Sequence, residues 1–171
     1  MITVDQFITT HNGKSIDTDG AYGFQCMDLM HKYCQEVLGI PDLRVLAAAT
    51  AKDVYLNFFS IYGHENFDRI DNTPTGIPQK GDILFWGTVV GSSGHVAVYL
   101  SGDMMNLKSF DQNWPAGASC HVQDHTYRGM LGWLRFKSTP DPSVTKVNKI
   151  RGICDNQTTA VDKLAQIKQL L

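Results

Sequence analysis

The chain has 171 residues and a mass of 19.0 kDa, a size typical of one domain with a short appendage. Its 43% hydrophobic and 19% charged residues support a packed core and exclude the composition of a disordered chain. The net charge of −2 and the isoelectric point of about 6.3 argue against a nucleic-acid partner, which usually requires a basic surface.

The N-terminal part of the chain predicts helices. Residues 3–6, Thr-Val-Asp-Gln, form a capping-box sequence before a short helix that is expected to end near Gly13. Residues 15–25 are rich in Asp and Gly and predict a loop. Apolar residues then recur at helical spacing over residues 26–38, and a second capping sequence predicts a helix over residues 50–59.

The middle of the chain predicts strands. Five short segments are rich in β-forming residues and are separated by Gly, Pro, Ser and Asn. They are residues 67–70, 83–86, 96–100, 107–111 and 130–136. Helices followed by strands predict an α+β domain with an antiparallel sheet. Residues 138–171 are expected to form a linker, STPDPS, and a C-terminal helical tail that is either docked or the start of a further part.

Neither a signal peptide nor a membrane span is predicted. The first residues, MITVDQF, lack a basic start and an apolar run, and no stretch approaches the roughly 20 apolar residues that cross a bilayer. The four cysteines, Cys26, Cys34, Cys120 and Cys154, form no CxxC pair. This spacing does not favour a disulfide-stapled fold, so a free reactive thiol is the hypothesis to test.

Cys26 lies at the predicted junction of loop and helix. The positive end of a helix stabilises an anion, so a cysteine there can serve as a nucleophile, although a free cysteine is more often a small core residue. His95 opens a predicted strand, and a strand end can hold a general base within reach of a thiol. Asp111 and Asn113 lie two apart and would share a face of a regular strand. Either could orient the base by accepting its ring N–H.

Four strings, in this order and spacing, resemble the CHAP family, the cysteine- and histidine-dependent amidohydrolase/peptidases of bacteriophage endolysins: GFQCMDL, PQKGDILFWG, GHVAVYL and FDQNW. The resemblance covers about residues 1–137 and implies a papain-like α+β fold, with N-terminal helices packed on an antiparallel sheet. It implies that Cys26 is the nucleophile and His95 the base. The family's closing acidic residue and Asn fall on Asp111 and Asn113. Because many relatives have Glu instead of the shorter Asp, we expect Asn113 to orient the base, with Asp111 supporting.

The activity implied by this resemblance is hydrolysis of an amide bond of bacterial peptidoglycan by acyl transfer. The enzyme would be a crossbridge or stem endopeptidase or an N-acetylmuramoyl-L-alanine amidase. It would be made in the host cytoplasm without a signal peptide and act on the wall after release, or be carried by the virion. The tail is expected to serve self-association or to lead to a further domain. The Cys26 backbone N–H is expected in the oxyanion hole, with Gln25 as a weaker candidate. Trp114, Tyr22 and Phe24 are expected to line the groove, although these aromatic residues suit a core equally well.

A calcium loop is expected just before the nucleophile. Five residues stand at relative positions 1, 3, 5, 7 and 12, the oxygen-ligand spacing of an EF-hand loop: Asp17, Asp19, Ala21, Gly23 and Asp28. The usual motif fails at three positions, because Ala21 offers only its carbonyl, Tyr22 replaces Gly, and Asp28 replaces Glu. An Asp-Gly turn before a helix explains the pattern equally well. A subset of phage CHAP enzymes binds calcium in such a loop, so the resemblance implies a structural, activating Ca²⁺.

Three alternatives remain. NlpC/P60 cysteine peptidases share the papain-like fold, although Gln25 and residues 112–114 fit CHAP better. A zinc amidase is the second, with ligand types at Cys120, His121, Asp124 and His125. These residues match no recognised metal motif, and residues 117–123 predict a surface loop. The third is a catalytically inactive wall-binding or tail-structural protein, against which the complete set of Cys, His and polar residues argues.

Overall fold

The computed structural model describes residues 1–137, and the predicted linker and tail lie outside the described residues. Three α-helices come first: α1 (Val4–His11), α2 (Cys26–Glu36) and α3 (Ala51–Leu56). Six strands follow: β1 (Phe67–Asp71), β2 (Ile83–Trp86), β3 (His95–Gly102), β4 (Asn106–Asp111), β5 (His121–Thr126) and β6 (Met130–Phe136). None of the helices within residues 1–137 has the length and apolar character to cross a bilayer.

The six strands form one antiparallel sheet in the order β1-β6-β2-β3-β4-β5. The predicted α+β class is confirmed, and five strands lie where the β-forming segments predicted them. The expected surface loop at residues 117–123 is wrong, because β5 begins at His121. Its sequence HVQDHT is mostly polar, with alternate residues half-buried and exposed. Strand β5 forms because it pairs with β4 over its whole length. The local sequence of β5 does not predict a strand.

The helix starts follow the sequence, but some ends differ. The predicted capping box is present, since the Thr3 hydroxyl accepts from the Gln6 N–H at 3.2 Å and the Gln6 side chain accepts from the Thr3 N–H at 2.8 Å. Helix α2 ends at Glu36, two residues before the predicted end. Helix α3 is shorter than predicted, and its continuation is a 3-10 turn at Phe58–Ser60.

The sheet is buried on both faces. The helices cover one face through a core that includes Phe7, Leu29, Tyr33, Val54, Val96, Val98 and Phe110. A second cluster on β2, β3, β4 and β6 includes Leu84, Trp86, Ala97, Tyr99, Leu107 and Trp133. Successive strand residues point to opposite faces, so β2 and most of β3 read as unbroken apolar runs. Each fully buried large apolar side chain contributes about 1.5–3 kcal/mol, which makes these central strands a rigid support.

Asp82 explains the polar part of the PQKGDILFW string. Its carboxylate accepts the Gln79 N–H at 2.7 Å and so closes the turn before β2. It also accepts two hydrogen bonds from the Arg135 guanidinium on β6, at 3.0 and 2.7 Å. Asp82 is buried, and a buried carboxylate needs such partners. This residue therefore serves the fold, away from the chemistry of the site.

Candidate active site

Cys26 is the first residue of α2 and is half-buried. The residue before it, Gln25, has an extended backbone, and its N–H donates to the Asp28 carboxylate at 2.7 Å. The first N–H groups of a helix have no partner within the helix and carry the positive end of its dipole. The sulfur therefore lies where a negative charge is stabilised.

His95 begins β3, opposite Trp86 on β2, and is buried. The preceding Gly94 has a φ of +68°, and a Cβ there would collide with the Trp86 carbonyl oxygen and approach Lys52. Only glycine fits this close approach, which accounts for the Gly-His pair in the sequence. The turn and the strand pairing together determine where the imidazole lies.

One nitrogen of His95, Nε2, is 2.6 Å from Oδ1 of Asp111. This leaves Nδ1 for Cys26, which lines the same groove as His95 and acts on the pKa of the imidazole. Burial by itself lowers the pKa of His95, but the hydrogen bonds and charges of Asp111 and Cys26 outweigh burial and raise it to about 9. This raised pKa favours the protonated form of the imidazole.

Asp111 is fully buried at the end of β4. Burial raises the pKa of this carboxyl, but hydrogen bonds from His125 and His95 outweigh burial and lower the pKa to about 2. The Ser109 hydroxyl also donates to Oδ2, the oxygen that His125 contacts at 3.2 Å. Both carboxylate oxygens thus have donors, which keeps a buried carboxylate ionised.

The expected contact between Asn113 and His95 is wrong. Strand β4 ends at Asp111, and Asn113 has a φ of +63°, so the two residues do not share a strand face. The Asn113 amide instead donates to Gln25 Oε1 at 3.0 Å, and its oxygen accepts the Gly117 N–H at 2.7 Å. Asn113 thereby ties the loop after β4 to the residue before the cysteine, and Asp111 occupies the position next to His95.

Gln112 is a site residue that sequence reasoning missed. It is fully buried, and its Nε2 donates to the carbonyl oxygens of Gln25, at 2.7 Å, and Ile16, at 2.8 Å. Its Oε1 accepts from the Ile16 N–H at 2.7 Å and from the Cys120 thiol at 3.1 Å. One side chain therefore holds both ends of the loop that precedes Cys26. The FDQNW string carried this signal, but its Asp and Asn residues also predict an ordinary turn.

A groove with a volume of about 370 Å³ passes the cysteine and the histidine. Its lining includes residues 90–94, Gln25, Cys26, His95, Asn113 and Trp114. Gln25 and Trp114 are among the residues that line this groove. The other two expected groove residues do not line it, because Tyr22 projects into solvent with 96% of its surface exposed and Phe24 lies outside the groove.

Three carboxylates of the predicted calcium loop come together. Asp17, Asp19 and Asp28 each offer an oxygen within 4.8 Å of the others, and within residues 1–137 they are the single such group of three or more His, Cys, Asp or Glu side chains. Each also accepts a backbone N–H of the same loop at 2.8–2.9 Å. An all-oxygen set of ligands suits a hard cation such as Ca²⁺. The backbone ligands Ala21 and Gly23 stay predictions.

The residues of the zinc alternative do not converge. Their side chains turn to three different partners: Cys120 to Gln112, His121 to Gln123 and His125 to Asp111. Over the part of the chain that the structure describes, they form no metal-ligand cluster. The structure therefore gives the zinc mechanism no support.

No family model matches the chain. It is 27% identical over 152 residues to endolysin PlyTW of Staphylococcus phage Twort, a match that covers 83% of this chain and 31% of that protein. It is 34% identical over 102 residues to endolysin LysK of Staphylococcus phage K, covering 58% of this chain and 19% of that protein. The chain thus spans about a third or less of the length of these relatives.

The fold is similar to that of a solved endolysin. The crystal structure of wild-type endolysin LysIME-EF1 matches with a TM-score of 0.57 and 23% identity, over 82% of this chain and 68% of that one. The likeness to phage endolysins that the motifs predicted is confirmed in sequence. Helices packed on a six-stranded antiparallel sheet fit the expected papain-like architecture.

Proposed function

We propose that this chain is the catalytic part of a phage endolysin and hydrolyses an amide bond of peptidoglycan through the thiol of Cys26. One observation carries the proposal: the cysteine at the start of α2 lines the same groove as His95, and Nε2 of His95 meets a buried Asp111 at 2.6 Å. This is the arrangement of a nucleophile, a base and an orienting acid. The endolysin names of the relatives supply the substrate class.

The first half of the reaction is acylation. The Cys26 thiolate attacks the carbonyl carbon and forms a C–S bond, while the carbonyl oxygen takes the negative charge. When the C–N bond breaks, the imidazolium of His95 gives its Nδ1 proton to the leaving amine. The raised pKa of His95, caused by Asp111 and Cys26, keeps that proton available.

The second half is deacylation. Neutral His95 takes a proton from water at Nδ1, and the hydroxide attacks the thioester carbonyl. The C–S bond breaks, the carboxylic acid leaves, and the thiolate and imidazolium are regenerated. Asp111 stays ionised throughout and stabilises the imidazolium from the side of Nε2.

Two donors suit the oxyanion. The Cys26 backbone N–H lies in the first turn of α2 and has no acceptor within the helix. The Gln25 side chain donates one amide hydrogen to the Tyr22 carbonyl at 2.9 Å, and an amide NH₂ has a second hydrogen to give. Both residues line or border the groove, so the charge would form between them.

The cysteine mechanism is tested with Cys26→Ala on purified bacterial wall. We expect a loss of roughly 10³-fold or more with an unchanged melting temperature, because the change is small and at a helix start. Cys120→Ser is the matched control, since a hydroxyl can donate to Gln112 as the thiol does. Alkylation should label Cys26 before the buried Cys34. Digestion of wall by Cys26→Ala would refute the mechanism, and mass spectrometry of wild-type products identifies the bond.

We also propose that Asp17, Asp19 and Asp28 bind a calcium ion that orders the loop before the nucleophile. Asp28 is the connection to the site, because its carboxylate accepts the Gln25 N–H at the start of α2. Three carboxylates within 4.8 Å repel one another, and a divalent cation would relieve that repulsion. The ion would stabilise the loop and take no part in bond cleavage.

Calorimetry and activity together test the calcium proposal. EDTA should lower both the melting temperature and the lytic rate, and Ca²⁺ should restore both better than Mg²⁺, which demands tighter octahedral geometry. Asp19→Asn should make the protein indifferent to calcium, whereas Asp124→Asn, at an exposed position of β5, should not. An unchanged melting temperature in EDTA and in added Ca²⁺ would leave only an Asp-Gly turn.

Two further proposals concern context. The enzyme is made in the host cytoplasm and acts on the cell wall after its release from there, or is carried by the virion, and the endolysin names of its relatives support action on the wall. Removal of residues 138–171, which the sequence predicts to form a linker and a helical tail, should leave digestion of isolated wall intact. Circular dichroism and wall digestion by the shortened chain check this, and an unfolded product would make the tail part of the core.

A further inference from the structure

His125 lies against the same carboxylate as His95. Its Nε2 is 3.2 Å from Oδ2 of Asp111, whereas Nε2 of His95 is 2.6 Å from Oδ1. The His125 side chain is 5% exposed and the Asp111 side chain is fully buried. The two imidazoles therefore flank one buried aspartate, each at its own oxygen. The proposed amide hydrolysis through the Cys26 thiol uses only His95.

Two tryptophans enclose the second imidazole. The ring of His125 lies 4.4 Å from that of Trp114 and 5.2 Å from that of Trp86. The same indoles contact the ring of His95 at 4.6 and 5.8 Å. Such packing on two sides restricts the rotation of the His125 side chain. Its Nε2 is thereby kept toward the carboxylate.

The direction of the hydrogen bond follows from the charge on Asp111. An ionised carboxylate only accepts hydrogen bonds, so the His125 nitrogen that faces it must carry the proton. The other donor to Oδ2 is the Ser109 hydroxyl, which comes from the same strand as Asp111. His125 comes from β5, on the opposite side of β4 from His95 on β3. Of the two donors to Oδ2, His125 is therefore the one that lies on a neighbouring strand.

We infer that His125 is a positioning residue, which holds the Asp111 carboxylate so that Oδ1 stays against Nε2 of His95. The inference rests on the proposed cysteine mechanism and extends it to a residue that touches Asp111 and not the substrate. Without this donor, the buried carboxylate would lose part of its stabilisation and could rotate about its side chain. His95 would then be less well oriented toward the thiol of Cys26.

A pair of substitutions separates this role from packing. His125→Phe keeps a ring between Trp86 and Trp114 but removes the donor, whereas His125→Gln keeps an N–H donor and removes the ring. We expect kcat on purified wall to fall roughly 10- to 100-fold in the Phe variant, as for loss of a hydrogen bond to a charged group, with KM within about twofold. The Gln variant should retain more activity. The opposite order would show that His125 only packs and would overturn the inference.

Two further measurements keep the test decisive. If the Phe variant does not fold, the similarly sized pair His125→Asn and His125→Leu makes the same comparison of donor and no donor. In an Asp111→Asn background, removal of the His125 donor should cost little more, because residues that act as a unit are not additive. A full additional loss there would contradict a role exercised through Asp111.

A spectroscopic measurement separates this inference from the proposed function. In Cys26→Ala protein, which needs no activity, the His95 Nε2 proton bonded to Asp111 should give a low-field ¹H resonance. His125→Phe should shift or broaden it, and His125→Gln should largely restore it. An unchanged resonance in the Phe variant overturns the role of His125 even if wall digestion depends on Cys26. A wild-type protein without Cys26-dependent digestion would refute the proposed function, while the resonance still decides the role of His125.

Discussion

The two halves of the site are built in different ways. The cysteine half is a loop, residues 15–25, that leads into α2, and two of its carboxylates are exposed. The histidine half lies on β3, β4 and β5, where His95 and Asp111 are buried and the His95 ring packs against Trp86 and Trp114. The loop is held by a few side-chain hydrogen bonds, whereas the sheet is held by many strand pairings and a packed core.

This difference has a physical consequence. Segments with few buried apolar contacts open at lower free energy than the sheet they border. Gln112 and Asn113, both just after β4, are the side chains that connect the two halves by bonding to Gln25. The distance between the thiol and the imidazole therefore depends most on the loop side. Substitutions should affect chemistry directly in the sheet half and through placement in the loop half.

The largest effect is expected at the base. His95→Ala should lower wall digestion as far as Cys26→Ala does, and the double variant should be no worse, because the two act as one unit. For His95→Ala, the loss of activity does not depend on a change in melting temperature. His121→Ala is the control, because that ring bonds only to Ser119 and Gln123 on its own segment. Substantial digestion by His95→Ala would place the base elsewhere.

Substitutions of Asp111 and Asn113 should lower activity to different extents, because Asp111 contacts His95 in the histidine half and Asn113 contacts Gln25 in the cysteine half. Asp111→Asn removes the charge that supports the imidazolium and should lower kcat roughly 100-fold or more. Asn113→Ala removes a hydrogen bond to Gln25 and should cost about tenfold or less. Initial rates on purified wall compare the two variants. If Asn113→Ala were the more damaging, the imidazole would depend on the loop more than on the carboxylate.

Gln112 should report on the connection between the halves. Gln112→Ala leaves buried backbone groups of Ile16 and Gln25 without partners and should destabilise the fold by about 2–4 kcal/mol. Activity should fall while the bond between His95 and Asp111 persists. Gln123→Ala, at a half-buried position of β5, should stay within about 0.5 kcal/mol. Denaturant unfolding measures both, and equal stabilities would remove Gln112 from this role.

The smallest expected effect is a change of stability with pH in the histidine half. The pKa of His95 is raised, so its pairing with Asp111 stabilises the fold fully below about pH 6.5 and is lost as pH rises through about 9. The pKa of Asp111 is lowered, so its contribution is present above about pH 3.9 and is lost as pH falls through about 2. The melting-temperature advantage of wild type over Asp111→Asn should therefore shrink between pH 7 and pH 10. A constant advantage over that range would contradict the assigned ion pair, and Asn113→Ala should follow the wild-type course.

Much of the site was readable from the sequence because its signals are local. A cysteine after a polar loop and before a helical repeat predicts a helix-start thiol, and α2 does begin at Cys26. A glycine before an apolar run predicts a strand start, and β3 does begin at His95. The three carboxylates of residues 17–28 are close in sequence, so a turn brings them together. The α+β class followed from the order of helical and strand periodicities.

Tertiary structure alone decided which side chains meet across the sheet. Asn113 turns away from His95 because β4 ends two residues earlier and the chain enters a left-handed conformation, which periodicity in the sequence does not reveal. Gln112 reaches Gln25 and Ile16 across 87 and 96 positions of sequence. His125 meets Asp111 only because β5 pairs beside β4, and the polar sequence of β5 resembles a loop. Local patterns determine where elements begin, whereas strand ends and pairing determine where polar side chains point.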